Sequence, residues 1–314
     1  MINKKPLLVV LGPTASGKTK LAVNLASVLN GEIISADSRQ VFEGMDIGTG
    51  KDLDEYVVNG RKIPYHLIDI KKAGENYNVN EFKEDFYNAF KKITDKKTLP
   101  ILCGGSGMYI HSVLQDHEYT AIPPNATLRA SLADLELNEL RNILSDYSHK
   151  FTAHADLSSR KRIIRAIEVS SYLTEHTLVK IERPVFNSCI IGLEPELDLR
   201  RNRIIERLNL RLEQGLINEV KQLIEMGVSK EKFVFYGLEY KFVVSYIFGE
   251  INYETLVEKL TIAICQFAKR QMTFFRKMEK DGVKINWIKS KNNIDPTEEA
   301  FRLYNQYLNA ERSF

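Results

Sequence analysis

The chain has 314 residues, 44% of them hydrophobic and 27% charged, with 44 Lys and Arg against 41 Asp and Glu for a formal net charge of +3. That balance excludes a largely disordered chain, a collagen-like fibre and a membrane bundle, and the length suits one large domain or two. A total this close to zero is indifferent to nucleic acid, so any basic surface has to be local.

Cys103, Cys189 and Cys265 form no Cys-x-x-Cys pair, and an odd count argues against a disulfide framework and for a reducing, cytoplasmic setting. No run of ~20 apolar residues predicts a membrane span, and no signal peptide is expected. His66, His111, His117, His149, His154 and His176 lack metal-ligand spacing, so no structural metal is expected.

In chain order, residues 7–11 predict a buried strand and 20–29 a helix. Residues 32–36 predict a second strand and 66–70 a short third one. Phe82, Phe86, Phe90 and Ile93 give a helical stripe over 80–94, and 99–103 predicts a fourth strand. Strand and helix alternating in this way make crossover units and a parallel sheet flanked by helices. From Ile122-Pro123-Pro124 to Arg183-Pro184 the periodicity is helical throughout, so residues 118–186 are expected to form an all-helical insertion between core segments 1–117 and 187–314. Residues 188–193 predict another buried strand. The remainder is mostly helical, with a last strand at 286–288 and a helix opened by Asp295-Pro296, Pro taking the first helical position.

Gly12-Pro13-Thr14-Ala15-Ser16-Gly17-Lys18-Thr19 matches G-x-x-x-x-G-K-[ST] between a strand and a helix. The glycines let backbone N–H groups wrap phosphates, Lys18 adds a full charge, and the Thr19 hydroxyl suits Mg²⁺. The motif predicts a P-loop NTPase-like fold and a diphosphate or triphosphate ligand, without naming the reaction. Leu67-Ile68-Asp69 is the best Walker B candidate, and a weak one.

Asp37 follows the second strand on the rim where parallel sheets bind ligands, as a general base or as a turn residue. Gly104-Gly105-Ser106-Gly107 follows the fourth strand on the same rim, as a ligand loop or a plain turn. Residues 259–280 carry Lys259, Lys269, Arg270, Arg276, Lys277 and Lys280 against one acid, Glu279. Leu256, Leu260, Ile264, Phe267, Phe274 and Met278 form the expected buried stripe of that helix, leaving the charge outside. Phe274 and Phe275 suit a core better than base stacking. Arg160-Lys161-Arg162 with Arg165 is a second basic focus, RNA-binding or merely solvated. Arg207 and Arg211 share a face of a further predicted helix.

In this order, several motifs resemble the tRNA dimethylallyltransferase (isopentenyl-tRNA transferase) family. They are residues 12–19; Asp37-Ser38-Arg39-Gln40-Val41-Phe42; residues 44–49, 66–70 and 77–82; Gly104 to Tyr109; Arg162, Arg165-Ala166 and Glu168; and Ala268-Lys269-Arg270-Gln271. The resemblance implies transfer of a dimethylallyl group from dimethylallyl diphosphate to N6 of the adenosine next to the tRNA anticodon. It implies Asp37 as the base, with Thr14 and Arg207 assisting at the diphosphate beside Lys18 and a Mg²⁺ at Thr19. It implies tRNA contacts from Asp37, Ser38, Arg39, Gln40, Ser106, Arg129, Lys161, Arg162, Ile163, Ile164 and Arg165. The partners are then the tRNA anticodon stem-loop and the prenyl diphosphate, with no obligate protein partner evident. Three segments depart from the family pattern: Gly50-Lys51-Asp52 for Ala-Lys-Pro, Tyr236 to Lys241 for an Ile-Gly-Tyr element, and 156–159 without the usual Asn. A small-molecule or nucleotide kinase with the same phosphate loop is the alternative, and a non-catalytic nucleotide-regulated RNA-binding protein is a third reading.

Overall fold

A computed structural model describes residues 4–153, 155–179, 181–290 and 295–312, so His154 lies outside the described residues. The chain divides into two compact units, Met1–Gln115 with Pro184–Phe314, and Asp116–Arg183.

The first unit begins with β1 (Lys5–Leu11), α1 (Lys18–Leu29) and β2 (Gly31–Ser35). A two-stranded hairpin follows, β3 (Val57–Val58) and β4 (Arg61–Lys62), turning on Asn59 and Gly60, both with positive φ as a type I′ turn requires. Then come β5 (Tyr65–His66), α2 (Val79–Asp95), β6 (Leu99–Gly104) and α3 (Gly107–Leu114). The insertion interrupts here with α4 (Ala126–Ser131), α5 (Leu137–Ser145), α6 (His149–Thr152) and α7 (Arg160–Glu175). The first unit resumes with β7 (Phe186–Pro195), α8 (Leu197–Glu213), α9 (Leu216–Glu225), α10 (Lys230–Tyr236), α11 (Leu238–Ile247), α12 (Tyr253–Lys280), β8 (Asn286–Ser290) and α13 (Thr297–Arg312).

The sheet runs β5-β2-β6-β1-β7-β8 and every pairing in it is parallel. Leu7 to Leu11 are buried without exception because both sheet faces are covered. The pleat divides them: Leu7, Val9 and Leu11 join the core under α2, α3 and α8 to α12, while Leu8 and Val10 join the core under α1 and α13. In register, Leu11 stands beside Gly104 of β6 and Gly192 of β7, and Ser35 beside Cys103. The loops after β1, β2 and β6 therefore leave from one edge.

Three sequence expectations need correction. The third strand stops at His66, because Leu67 and Asp69 take positive φ (63° and 53°) and a strand cannot continue through them. Phe267 is 40% exposed and Phe274 only half-buried; the buried stripe of α12 passes instead through Ala268, Gln271, Met272 and Phe275. Pro296 precedes α13 and does not begin it; Asp295 Oδ1 caps the helix by accepting from Thr297 N (2.9 Å) and Thr297 Oγ1 (2.6 Å).

The second unit has its own small core, in which Leu132, Leu140, Leu144, Ile163, Ala166 and Ile167 are buried. Among the described residues no helix is long and apolar enough to cross a membrane.

Candidate active site

The strand edge opens into a cavity of about 860 Å³, lined by the phosphate loop from Thr14 to Thr19, by Asp37 to Gln40, by Gly104 and Ser106, and by Arg203, Arg207 and Arg211 of α8. The loop closes tightly on itself. Ser16 N donates to Pro13 O (3.3 Å), and a Cβ at Gly12 would stand 2.7 Å from Ser16 Oγ. Ala15 and Gly17 both take positive φ (60° and 83°), and Ala15 pays a steric cost there that Gly17 does not. Ser16 Oγ is buried with no hydrogen-bond partner among the described residues, and Lys18 Nζ reaches only Pro13 O, at 3.4 Å. Burial holds the Lys18 ammonium below its ordinary pKa, against the opposing pull of Cys103 and Asp37. A buried hydroxyl and a half-buried, weakly partnered ammonium in one loop are what an incoming anion would satisfy.

Two side chains from distant segments fix this loop. Arg207 Nη2 donates to Thr14 Oγ1. Burial, reinforced by neighbouring Arg211, lowers the Arg207 pKa to about 10, so it remains a cation at neutral pH. Gln271 of α12 accepts from Thr14 N through Oε1 (2.8 Å) and donates through Nε2 to Gly105 O (2.9 Å), joining the two Gly-rich loops. A Cβ at Gly105 would lie 2.4 Å from Gln271 Nε2, so any larger residue there would displace this amide.

Asp37 Oδ1 accepts from Arg39 N (2.9 Å), so the carboxylate closes a turn and lines the cavity at once. Ser106 Oγ accepts from Ser38 N (3.0 Å), joining the β2 loop to the β6 loop. The Arg39 guanidinium lies 4.7 Å from the Phe235 ring centroid, and burial lowers its pKa. Gln40 is buried, its amide spent on Ser35 Oγ (2.9 Å) and Gly50 O (2.9 Å). Eight Lys and Arg line the cavity against five Asp and Glu. Burial also raises the carboxyl pKa of Glu55 and Glu239 above the ordinary value. The cavity lining is therefore basic on balance.

The Walker B candidate does not belong to it. Asp69 is engaged by Lys51 Nζ, which also donates to Asp46 Oδ1 (2.6 Å) and Phe42 O (2.8 Å). This buried lysine ties the segment from Phe42 to Asp46 to Asp69.

The remaining residues of sequence interest lie in the second unit. Arg129 grips Glu168 bidentately (Nε–Oε1 2.8 Å, Nη2–Oε2 2.9 Å). Arg165 donates to Tyr119 O (2.8 Å) and Ile122 O (2.7 Å) and reaches Glu168 at 3.5 Å. Ile163 is fully buried and Ile164 half-buried in that unit's core, Lys161 is exposed, and Arg162 pairs with Asp156 (2.8 Å) and Ser158 Oγ (2.7 Å).

An IPP transferase family model matches residues 40–278. The chain belongs to the IPP transferase family. It is 50% identical over 287 residues to tRNA dimethylallyltransferase 2 of Phocaeicola vulgatus, covering 91% of this chain and 93% of the other. It is 47% identical over 304 residues to tRNA dimethylallyltransferase 2 of Bacteroides fragilis, covering 96% and 97%. Its fold matches the crystal structure of the full-length tRNA isopentenylpyrophosphate transferase of Bacillus halodurans with a TM-score of 0.70 at 31% identity, over 98% of this chain and 96% of that one. The P-loop NTPase-like sheet is thus the scaffold of an IPP transferase.

Within this IPP transferase, sequence reasoning gave no role to Gln271, Arg211, Glu239, Asp52 or Glu55, all of which line the cavity. The motif Ala268 to Gln271 was one signal, and the shared face of Arg207 and Arg211 another. Asp52 and Glu239 sit in two of the three departing segments, and both approach Arg211, at 3.6 Å and 3.9 Å.

Proposed function

We propose that the chain transfers a dimethylallyl group from dimethylallyl diphosphate to N6 of the adenosine adjacent to the anticodon in tRNA, releasing diphosphate, in the cytoplasm. The observation that carries this reading is the closure of the phosphate loop by Arg207 through Thr14 in the same cavity as Asp37. An exocyclic adenine amine shares its lone pair with the ring and is a poor nucleophile. Asp37 would take its proton as the C–N bond forms, help worth roughly 10²–10⁴-fold. The loop N–H groups, Lys18, Thr14 and Arg207 would neutralise the charge that grows on the departing diphosphate, a preorganised electrostatic role. The loop then holds a leaving group, and no ATP is split.

The oxygen donors along the cavity, the Thr19 hydroxyl with Asp37, Asp52 and Glu55, suit a hard cation such as Mg²⁺. Among the described residues no cluster of three His, Cys, Asp or Glu side chains could hold a metal by itself. Thr19 would therefore hold Mg²⁺ together with substrate oxygens and water, and the ion would supply further charge neutralisation at the diphosphate.

The target base has to leave its stack to enter a cavity, and an anticodon loop opens at less cost than a duplex. Ser38, Arg39, Gln40 and Ser106 are assigned to that nucleotide's surroundings. Of the insertion residues 129 and 161–165, Lys161 and Arg162 are assigned to the tRNA as its exposed cations, while Ile163, buried in that unit's core, and Arg165, bonded to Tyr119 O, Ile122 O and Glu168, would act by holding the helix that presents them.

The test is mass spectrometry of nucleosides from unmodified tRNA incubated with the protein, dimethylallyl diphosphate and Mg²⁺. The expected product is adenosine bearing an added C5H8 with no ATP present; unchanged adenosine rejects the proposal.

A further inference from the structure

Four hydrogen bonds converge on one side chain that does not line the cavity. Glu219 lies in the first turn of α9 and is 8% exposed. Its Oε2 accepts from Asp46 N (2.8 Å) and Ile47 N (2.7 Å), and its Oε1 from Gly48 N (3.0 Å) and Tyr240 Oη (2.7 Å). Successive backbone N–H groups turned onto one anion form a nest, and here the anion is part of the protein. A buried carboxylate is costly unless fully hydrogen-bonded, so helix formation in α9 alone does not account for it. Tyr240 closes the arrangement from α11: a Cβ at Gly48 would stand 2.5 Å from its ring, so only glycine fits beneath it.

The nest holds a wall of the active site. Gly48, Thr49, Gly50 and Asp52 line the cavity directly after it. On one side, Gly50 O accepts from Gln40 Nε2, and Gln40 Oε1 accepts from Ser35 Oγ at the end of β2, two residues before Asp37. On the other side, Gly50 backs onto Arg211, where a Cβ would lie 1.6 Å from Nη2. Arg211 is one helical turn beyond Arg207 on α8. The loop is thus wedged between the strand end that bears the base and the helix that bears the diphosphate arginine.

We infer that Glu219 is a positioning residue for the transfer, its carboxylate seating the 46–50 loop so that Asp37 and the arginines of α8 keep their spacing. The inference rests on the proposed reaction, and its test has one readout that does not. Glu219→Gln keeps the shape but turns an N–H donor toward the Gly48 or Asp46–Ile47 amides. Expected results are a fall in kcat of roughly 10- to 100-fold, as for a small misplacement of reacting groups, with tRNA Kd within about twofold. Hydrogen exchange of the 46–48 amides should quicken by roughly tenfold or more, as the loss of a hydrogen bond to a charged group implies, while exchange in α1 is unchanged. Glu219→Asp keeps the charge and should recover part of the kcat; Tyr240→Phe keeps all three amide bonds and should stay within about threefold of wild type. Wild-type kcat in Glu219→Gln overturns the inference. So does faster exchange throughout the sheet, or failure of both Glu219 variants to fold, since each makes the role one of global stability. If the wild-type protein transfers no C5 group, the proposed reaction fails, while the exchange of the 46–48 amides still decides whether Glu219 seats the loop.

Discussion

Arg207 on α8 and Arg165 on α7 come from similar basic runs, and burial lowers the pKa of both. Their surroundings differ. Arg165 spends its donors on Tyr119 O, Ile122 O and the Glu168 carboxylate that Arg129 also grips. Arg207 gives one donor to a hydroxyl of the phosphate loop and forms no ion pair among the described residues. A guanidinium carries five N–H groups in a rigid fork. In the insertion that fork is occupied by the fold itself. In the cavity most of it remains for an anion. The charge of a cluster therefore says little about its role until the acceptors around it are known.

Breaking the cavity side should have the largest effect. Arg207→Ala is expected to lower the single-turnover rate by about 10³-fold, or about 4 kcal/mol of barrier, with little change in melting temperature; a rate within threefold of wild type would put the anion elsewhere. Breaking the insertion side should act on stability. Glu168 is 2% exposed, and removing its charge by Glu168→Gln leaves two arginines facing a neutral amide, at about 3 kcal/mol. Hydrogen-exchange protection of α7 is the readout, and unchanged protection would make the cluster dispensable.

The same group gives a pH dependence. Burial alone would raise the Glu168 pKa, but hydrogen bonds from Arg129 and from Asn125 N, with the charges of Arg129 and Arg165, together outweigh it and hold the pKa below the ordinary value. A depressed carboxyl pKa contributes stability that is fully present above the unfolded value, about 4.3, and is lost as pH falls through the folded value. Protection of α7 should therefore decline below about pH 4.3 in wild type and show a flatter acid limb in Glu168→Gln. The smallest effect is expected of Arg162→Ala. Its side chain is 56% exposed and its pair with Asp156 surface-like, so stability should change by under about 0.5 kcal/mol. If Arg162 meets a phosphate, the salt slope of tRNA binding should drop by about one; an unchanged slope leaves it a solvated helix residue.

Much of the fold was legible because its signals are local. Leu7 to Leu11 is a continuous apolar run, the Phe82-Phe86-Phe90-Ile93 stripe is helical, and the phosphate loop carries its glycines in sequence. The hairpin at 57–62 also has a local signal, Asn59-Gly60. The end of β5 is less legible, because Leu67 carries no residue-type mark for positive φ, and Asp69, a type that tolerates it, is held by Lys51, 18 residues earlier. Phe267 misled because hydrophobic spacing cannot tell a core face from a cavity wall. Gln271 and Glu219 were illegible as site supports: one sits on an amphipathic helix stripe and the other in a helix first turn, and their partners lie 257 and 171 to 173 residues away. Asp37, Thr14 and Lys18 were found on one rim because parallel topology puts the loops after β1 and β2 there whatever their partners.

The central claim is that this cavity holds diphosphate as a leaving group while Asp37 serves the adenosine amine. A single-turnover reaction with labelled dimethylallyl diphosphate and tRNA, without ATP, tests it most directly. The account predicts one diphosphate released for each C5 group attached, and in Asp37→Asn an unchanged tRNA affinity with a rate lower by roughly 10² or more. A requirement for ATP with transfer of its γ-phosphate, or a near-normal rate in Asp37→Asn, would contradict it.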